Sequence, residues 1–135
     1  LRRKGRLKKG ESVTLDEGRI IDGKAFLSPP KKGRVVAIFG DTKACPQAVR
    51  AAQNADVLAH EATFAANDEE TAERVFQSTV SDAAKLALQA NVKQLYLTHI
   101  SARHTEEEQR LMLEQQAQTI FPASKVVGDF DVFNI

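Results

Sequence analysis

The stretch Leu95-Tyr-Leu-Thr-His-Ile-Ser-Ala-Arg-His104 decides how this chain folds. An apolar run, Leu95 to Leu97, ends in Thr98-His99, and Ser101 and Arg103 follow. A histidine just past a buried strand has its backbone held by the sheet and its imidazole at the sheet's edge. Open α/β sheets keep their ligands there, at the carboxyl ends of the strands.

Working outward, the same pattern recurs upstream. Val35 to Phe39 is a continuous apolar run, as expected for a strand covered on both faces. It ends in Gly40-Asp41-Thr42. Pro46 to Asn54 reads as a helix with Pro46 in its first turn. Val57 to Ala59 is a second short strand, ending in His60-Glu61-Ala62-Thr63. Ala65 to Glu73 is acidic and fits either a mobile lid or a solvated helix start. Ser81 to Ala90 carries Ala84, Leu86, Ala87 and Leu88 on a helical period, with Asn91 near the stop. After the central strand, Thr105 is the expected N-cap of a last helix, with Glu108 completing a capping box. Leu111, Leu113 and Ile120 are its apolar contacts and Pro122 its stop. Lys125 to Val127 and Phe130 to Ile135 are β-prone runs around Gly128-Asp129.

The amino-terminal third is different. Leu1 to Lys9 is basic and fits a solvated, mobile end or a phosphate-contacting arm. Ser12 to Leu15 and Arg19 to Ile21 flank Asp16-Glu17-Gly18, a hairpin signal. Pro29-Pro30-Lys31-Lys32-Gly33 is a break before the main sheet. This gives a basic lead-in and hairpin over 1–33 and an α/β segment over 34–135. A hairpin followed by strands alternating with helices, and a closing strand, argues for part of a mixed sandwich rather than a complete doubly wound domain.

The totals narrow the function. The 135 residues suit one compact domain, and 42% apolar composition supplies a core. A formal net charge of +1 announces no general nucleic-acid binder, so any RNA contact is local. One cysteine, Cys45, excludes an internal disulfide framework and fits a reducing, cytoplasmic setting. No apolar run approaches the ~20 residues that span a bilayer, so no membrane partner is expected. The chain starts at Leu1 within a basic run, which suggests a piece of a longer protein.

Three successive strands therefore end in Asp41, in His60 with Glu61, and in His99. Each residue alone fits a turn, a cap or a satisfied core group, but parallel strands bring their carboxyl ends together. A carboxylate and an imidazole at one edge suit a divalent transition metal, and zinc accepts both donor types. Two ligands are fewer than the three a catalytic zinc typically takes. Further ligands must come from elsewhere. A nucleotide-binding domain is disfavoured, because Gly40-Asp41-Thr42 is not a glycine-rich phosphate loop.

Phe39-Gly-Asp-Thr42, Ala55-Asp-Val-Leu-Ala-His-Glu-Ala-Thr63, Gln77-Ser-Thr79 and Leu97-Thr-His-Ile-Ser-Ala-Arg103, in this order, resemble the carboxy-terminal half of ribonuclease Z (tRNase Z). Gly10 to Leu15 and the approach to Pro29-Pro30 are similar to that family as well. The resemblance covers nearly the whole chain. It implies the carboxy-terminal half of a metallo-β-lactamase fold, an αββα sandwich. It also implies a zinc-dependent endoribonuclease, with two Zn2+ per active site, that removes the 3′ trailer of precursor tRNA and leaves a 3′-hydroxyl, acting as a homodimer. Residue by residue, Asp41 is then the metal-bridging carboxylate and His99 a terminal metal ligand. Glu61 orients the family's catalytic histidine, and Ser101 and Arg103 lie by the RNA 3′ end. His60 is read as structural. The family's histidine-rich metal motif, a further ligand histidine and its tRNA-gripping arm are expected upstream of Leu1. One departure lies inside the chain: Gln77 stands where the family has its proton-donor histidine. Glutamine does not titrate near neutral pH, and acid–base help of that kind is typically worth about 10²–10⁴-fold. The resemblance therefore leaves two readings: part of a nuclease whose isolated segment is inactive, or a non-catalytic RNA-binding or dimerisation homologue.

Overall fold

The computed structural model describes residues 2–104 and 106–135. Leu1 and Thr105 lie outside the described residues, and with Thr105 the expected capping box to Glu108. The chain divides into residues 1–33 and 34–135.

In the first unit, Arg2–Lys8 forms helix α1, where the sequence suggested only a mobile end or an arm. Arg6 Nε donates to Glu11 at 2.8 Å, and Arg3 pairs with Asp16. Strands β1 (Val13–Thr14) and β2 (Ile20–Ile21) pair antiparallel, Val13 opposite Ile21, giving the expected hairpin. Gly18 closes its turn at φ +80°, where a β-carbon would be strained. A short 3-10 turn, Gly23–Phe26, follows, with the Asp22 carboxylate accepting the Lys24 N–H at 3.0 Å. Gly23 packs so closely that a β-carbon there would sit 2.3 Å from the Glu11 carbonyl oxygen.

The second unit runs β3 (Val36–Ile38), α2 (Pro46–Ala51), β4 (Val57–Glu61), α3 (Glu69–Arg74), α4 (Val80–Gln89), β5 (Gln94–Thr98), α5 (Glu107–Gln118), β6 (Ser124–Val126). Its sheet is parallel throughout, in the order β3-β4-β5-β6. Pro46 opens α2 as expected, but the helix ends three residues before Asn54, which turns left-handed at φ 56°. Asn91 ends α4 region in the same conformation. Helix α4 begins at a capping box: Thr79 Oγ1 accepts the Asp82 N–H and Asp82 Oδ2 accepts the Thr79 N–H, each at 3.1 Å.

Strand order equal to sequence order has a physical consequence. Each crossover advances in the same direction, and parallel crossovers are right-handed. The helices therefore gather on one face of the sheet. Ala37, Leu58, Leu95, Leu97 and Val126 form the buried face, packed with Val80, Ala84, Leu86 and Ala87 of α4 and with Leu113 and Ala117 of α5. The opposite face is built from Val36, Ile38, Ala59 and Tyr96. Here the expectation of a strand covered on both sides is corrected: Val36 is 44% exposed and Ile38 76%.

Two other expectations are corrected. Phe130 to Ile135 is not a strand. Phe130 is left-handed at φ 67°, and the Gly128 N–H donates to Asp131 Oδ2 at 3.0 Å, so the backbone turns away from extended pairing. Phe133 instead stacks on Tyr96, ring centroids 4.3 Å apart, with Lys125 Nζ 5.0 Å from its ring. Leu88 and Leu111, expected among the apolar contacts of their helices, are exposed, because each helix turns only one stripe to the sheet.

An exposed apolar sheet face drives association. The isolated chain is expected to form dimers or larger species as its concentration rises, and Ile38→Lys to shift it toward monomer. Sedimentation velocity over a concentration series checks this; a strictly monomeric species at high concentration would contradict it.

Candidate metal centre

Asp41 follows the last pairing of β3, where the Phe39 N–H still donates to the Ala59 carbonyl at 2.8 Å. His99 is the first residue past β5. The two side chains meet: Asp41 Oδ1 and His99 Nδ1 are 3.4 Å apart, and both are more than half exposed. His99 has φ 54°, a left-handed backbone rare in non-glycine residues but enriched in histidine, asparagine and aspartate. That turn takes the residue out of the strand's line and over the sheet edge. Gln77 reaches the same place, its Nε2 3.5 Å from Asp41 Oδ2. The preceding Phe76 is also left-handed, at φ 58°, and exposed.

Glu61 lies beneath them, fully buried at the end of β4. Oε1 accepts the Ser78 N–H at 2.7 Å and the Thr42 N–H at 3.3 Å. Oε2 accepts the Thr63 N–H and the Thr63 hydroxyl, both at 2.9 Å. Four donors fill the acceptor capacity of a carboxylate. Gln77 points to Asp41 rather than to Glu61. Ser78, also buried, donates its hydroxyl to the Thr42 carbonyl at 2.8 Å and accepts the Ala44 N–H at 3.1 Å. Thr63 Oγ1 lies 2.8 Å from His99 Nδ1.

Ser101 and Arg103 lie on the loop beyond His99. The Ser101 N–H donates to the Thr63 carbonyl at 3.3 Å, and Ser101 Oγ accepts the Arg103 N–H at 3.4 Å. The Arg103 side chain is exposed, so its planar donor fork faces solvent. His60 points to the opposite face of the sheet. It is fully buried, edge-on to Phe39 with ring centroids 5.6 Å apart, and Nδ1 is 2.6 Å from the Glu61 carbonyl oxygen. Burial pushes its pKa below 6.5, against smaller opposing effects of the Glu61 carbonyl and of the Glu61 and Asp82 charges.

Asp41 and His99 are an oxygen and a nitrogen donor of the types zinc accepts. Among the described residues no group of three or more His, Cys, Asp or Glu side chains is arranged to hold a metal ion. The geometry thus supplies two adjacent donors on an accessible edge. Sequence reasoning named Asp41, His99 and Glu61, which the fold brings to one sheet edge. It missed the parts that Thr42, Thr63 and Ser78 play, although Thr63 and Ser78 sit inside the motifs that singled out their neighbours.

No family model matches the chain. It is 52% identical to a protein named Ribonuclease Z from Bacillus velezensis over 93% of its own length, and 50% identical to one from Lactiplantibacillus plantarum over 97%. The chain spans about two fifths of these relatives, 41% and 42%, corresponding to their carboxy-terminal part. Among solved structures, the metallo-β-lactamase fold protein YhfI from Bacillus subtilis is similar over 82% of the chain and 39% of its own, with TM-score 0.62 at 22% identity. Human tRNase Z, short form, is similar over 86% of the chain and 36% of its own, with TM-score 0.58 at 27% identity. The fold is that of one part of a metallo-β-lactamase domain.

Two stability outcomes follow from the buried groups. Glu61→Gln replaces an acceptor oxygen by an N–H2 facing N–H donors, leaving at least one buried donor unpaired. Its expected cost is about 1–3 kcal/mol, read from urea unfolding. His60 resists protonation in the fold more than in the unfolded chain, whose pKa is near 6.5. The unfolded state therefore binds the proton first, and stability falls as pH drops below about 6.5 until the folded-state pKa is passed. His60→Gln should flatten the urea midpoint between about pH 7 and pH 5; an unchanged slope would refute this origin.

Proposed function

We propose, from a chain homologous over nearly all its length to the carboxy-terminal part of ribonuclease Z, that it is part of a metal-dependent endoribonuclease. The complete protein removes the 3′ trailer from precursor tRNA and leaves a 3′-hydroxyl. The observation that carries this reading is the convergence of Asp41 and His99, Oδ1 and Nδ1 3.4 Å apart, past the ends of β3 and β5, the strands on either side of β4. In it, Asp41 and His99 would be ligands to zinc, the remaining ligands coming from residues outside this chain. Zinc, when bound, supplies a hydroxide nucleophile near neutral pH and charge stabilisation at the phosphate.

This chain's own residues orient and bind. Glu61 anchors the segments that carry Asp41 and Gln77 and reaches His99 through Thr63. Arg103 and Ser101 take the RNA near the scissile 3′ end, the guanidinium suiting phosphate or base edges. Gln77 hydrogen-bonds at the position of the family's proton donor and has no proton to give near pH 7. The complete protein acts as a homodimer in the cytoplasm. Among the described residues no helix is long and apolar enough to cross a membrane.

A second reading is favoured by Gln77 and by the two-donor edge: a homologue that binds RNA or pairs with a partner without cutting. Both are tested on the complete protein carrying its upstream residues. Bound zinc, measured by elemental analysis, should be present and should drop in Asp41→Ala. Gln77→His should raise single-turnover 3′-trailer cleavage by about 10²–10⁴-fold. Absence of zinc would end the nuclease reading. Zinc without cleavage, before and after Gln77→His, would leave the binding reading. The 135-residue chain alone is expected neither to cleave nor to hold zinc tightly.

A further inference from the structure

Thr63 stands between two side chains and has one proton to give. Its hydroxyl oxygen is 2.9 Å from Glu61 Oε2 and 2.8 Å from His99 Nδ1. The Glu61 carboxylate already accepts N–H groups from Thr42, Ser78 and Thr63 itself. It is an acceptor in every direction, so the Thr63 hydroxyl proton belongs to the short contact with Oε2. A hydroxyl oxygen keeps lone pairs after donating. One of them faces His99 Nδ1, and a 2.8 Å approach is attractive only if Nδ1 carries hydrogen. Asp41 Oδ1, 3.4 Å from the same nitrogen, is a second acceptor on that side. A neutral imidazole has one N–H. With that hydrogen on Nδ1, the lone pair is on Nε2.

We propose that Thr63 is a positioning residue that holds His99 as its Nδ1–H tautomer and so presents Nε2 as the nitrogen that ligates a divalent cation. The order of donation runs from His99 to Thr63 to Glu61, whose carboxylate also accepts the backbone N–H groups of Thr42, Thr63 and Ser78. Partners of this kind fix the tautomer and ring direction of metal-binding histidines. Here the partner is a hydroxyl whose own direction is set by a carboxylate. The role of Nε2 rests on the reading of His99 as a metal ligand; the tautomer does not.

The test is a long-range proton–nitrogen NMR spectrum of the imidazoles in the 15N-labelled chain, without metal, at about pH 8, where an ordinary histidine is neutral. His99 is identified by its loss in His99→Gln. In the wild-type chain, His99 Nδ1 is expected at the frequency of a proton-bearing nitrogen and Nε2 at that of a bare one. Thr63→Ser keeps this pattern, and Thr63→Val shifts the two signals toward each other or exchanges them. A wild-type His99 protonated on Nε2 overturns the proposal. So does an unchanged pattern in a Thr63→Val chain whose amide spectrum stays dispersed. If Thr63→Val does not fold, the wild-type and Thr63→Ser spectra still decide. Zinc content of the complete protein is a separate readout, so the nuclease reading can fail while the tautomer stands.

Discussion

The Glu61 carboxylate, fully buried at the end of β4, is the constraint on which the sheet edge depends. Burying a charged group without partners is prohibitive, and charge-assisted hydrogen bonds to backbone N–H groups offset the cost. Its partners come from three places: Thr42 after β3, Ser78 before α4, and Thr63 in its own loop. Each sits beside a site residue. Thr42 adjoins Asp41, Ser78 adjoins Gln77, and the Thr63 hydroxyl touches His99. The accessible edge is therefore arranged from beneath, by a side chain that never reaches solvent.

The same arrangement explains where strain is tolerated. His99 and Phe76 adopt left-handed backbone, one at Asp41's partner and the other just before Gln77. Such conformations cost of order 1–3 kcal/mol and persist only where surrounding contacts over-determine them. Both lie next to segments pinned by Glu61 or by Ser78, whose hydroxyl ties the loop at 42–44 to the start of α4. These contacts hold the edge in shape.

A parallel sheet whose strands follow one another in sequence order has an inherent asymmetry. Right-handed crossovers send α2, α4 and α5 to one side, and the alanine-rich face of α4 packs closely over Leu58, Leu95 and Leu97. The other side keeps apolar residues, of which Val36 and Ile38 are well exposed. Phe133, laid on Tyr96, covers part of it without forming a strand.

Much was legible in residue order alone. Asp16-Glu17-Gly18 between β-prone runs gave the hairpin, Pro46 gave the start of α2, and apolar runs ending in Asp41, Glu61 and His99 located the sheet edge, because local backbone preference and burial pattern are properties of short segments. Other features needed the folded chain. Val35 to Phe39 reads as a doubly covered strand, yet which faces are covered depends on crossover handedness and strand order, not on the run itself. Phe130 to Ile135 has strand composition, but a left-handed Phe130 and the Tyr96 ring decide otherwise. The sequence determined which residues stand at the sheet edge. Only tertiary structure decided that Thr63 joins Glu61 to His99 and that Gln77 faces Asp41, since a hydrogen bond between segments 36 residues apart is set by where the sheet brings them.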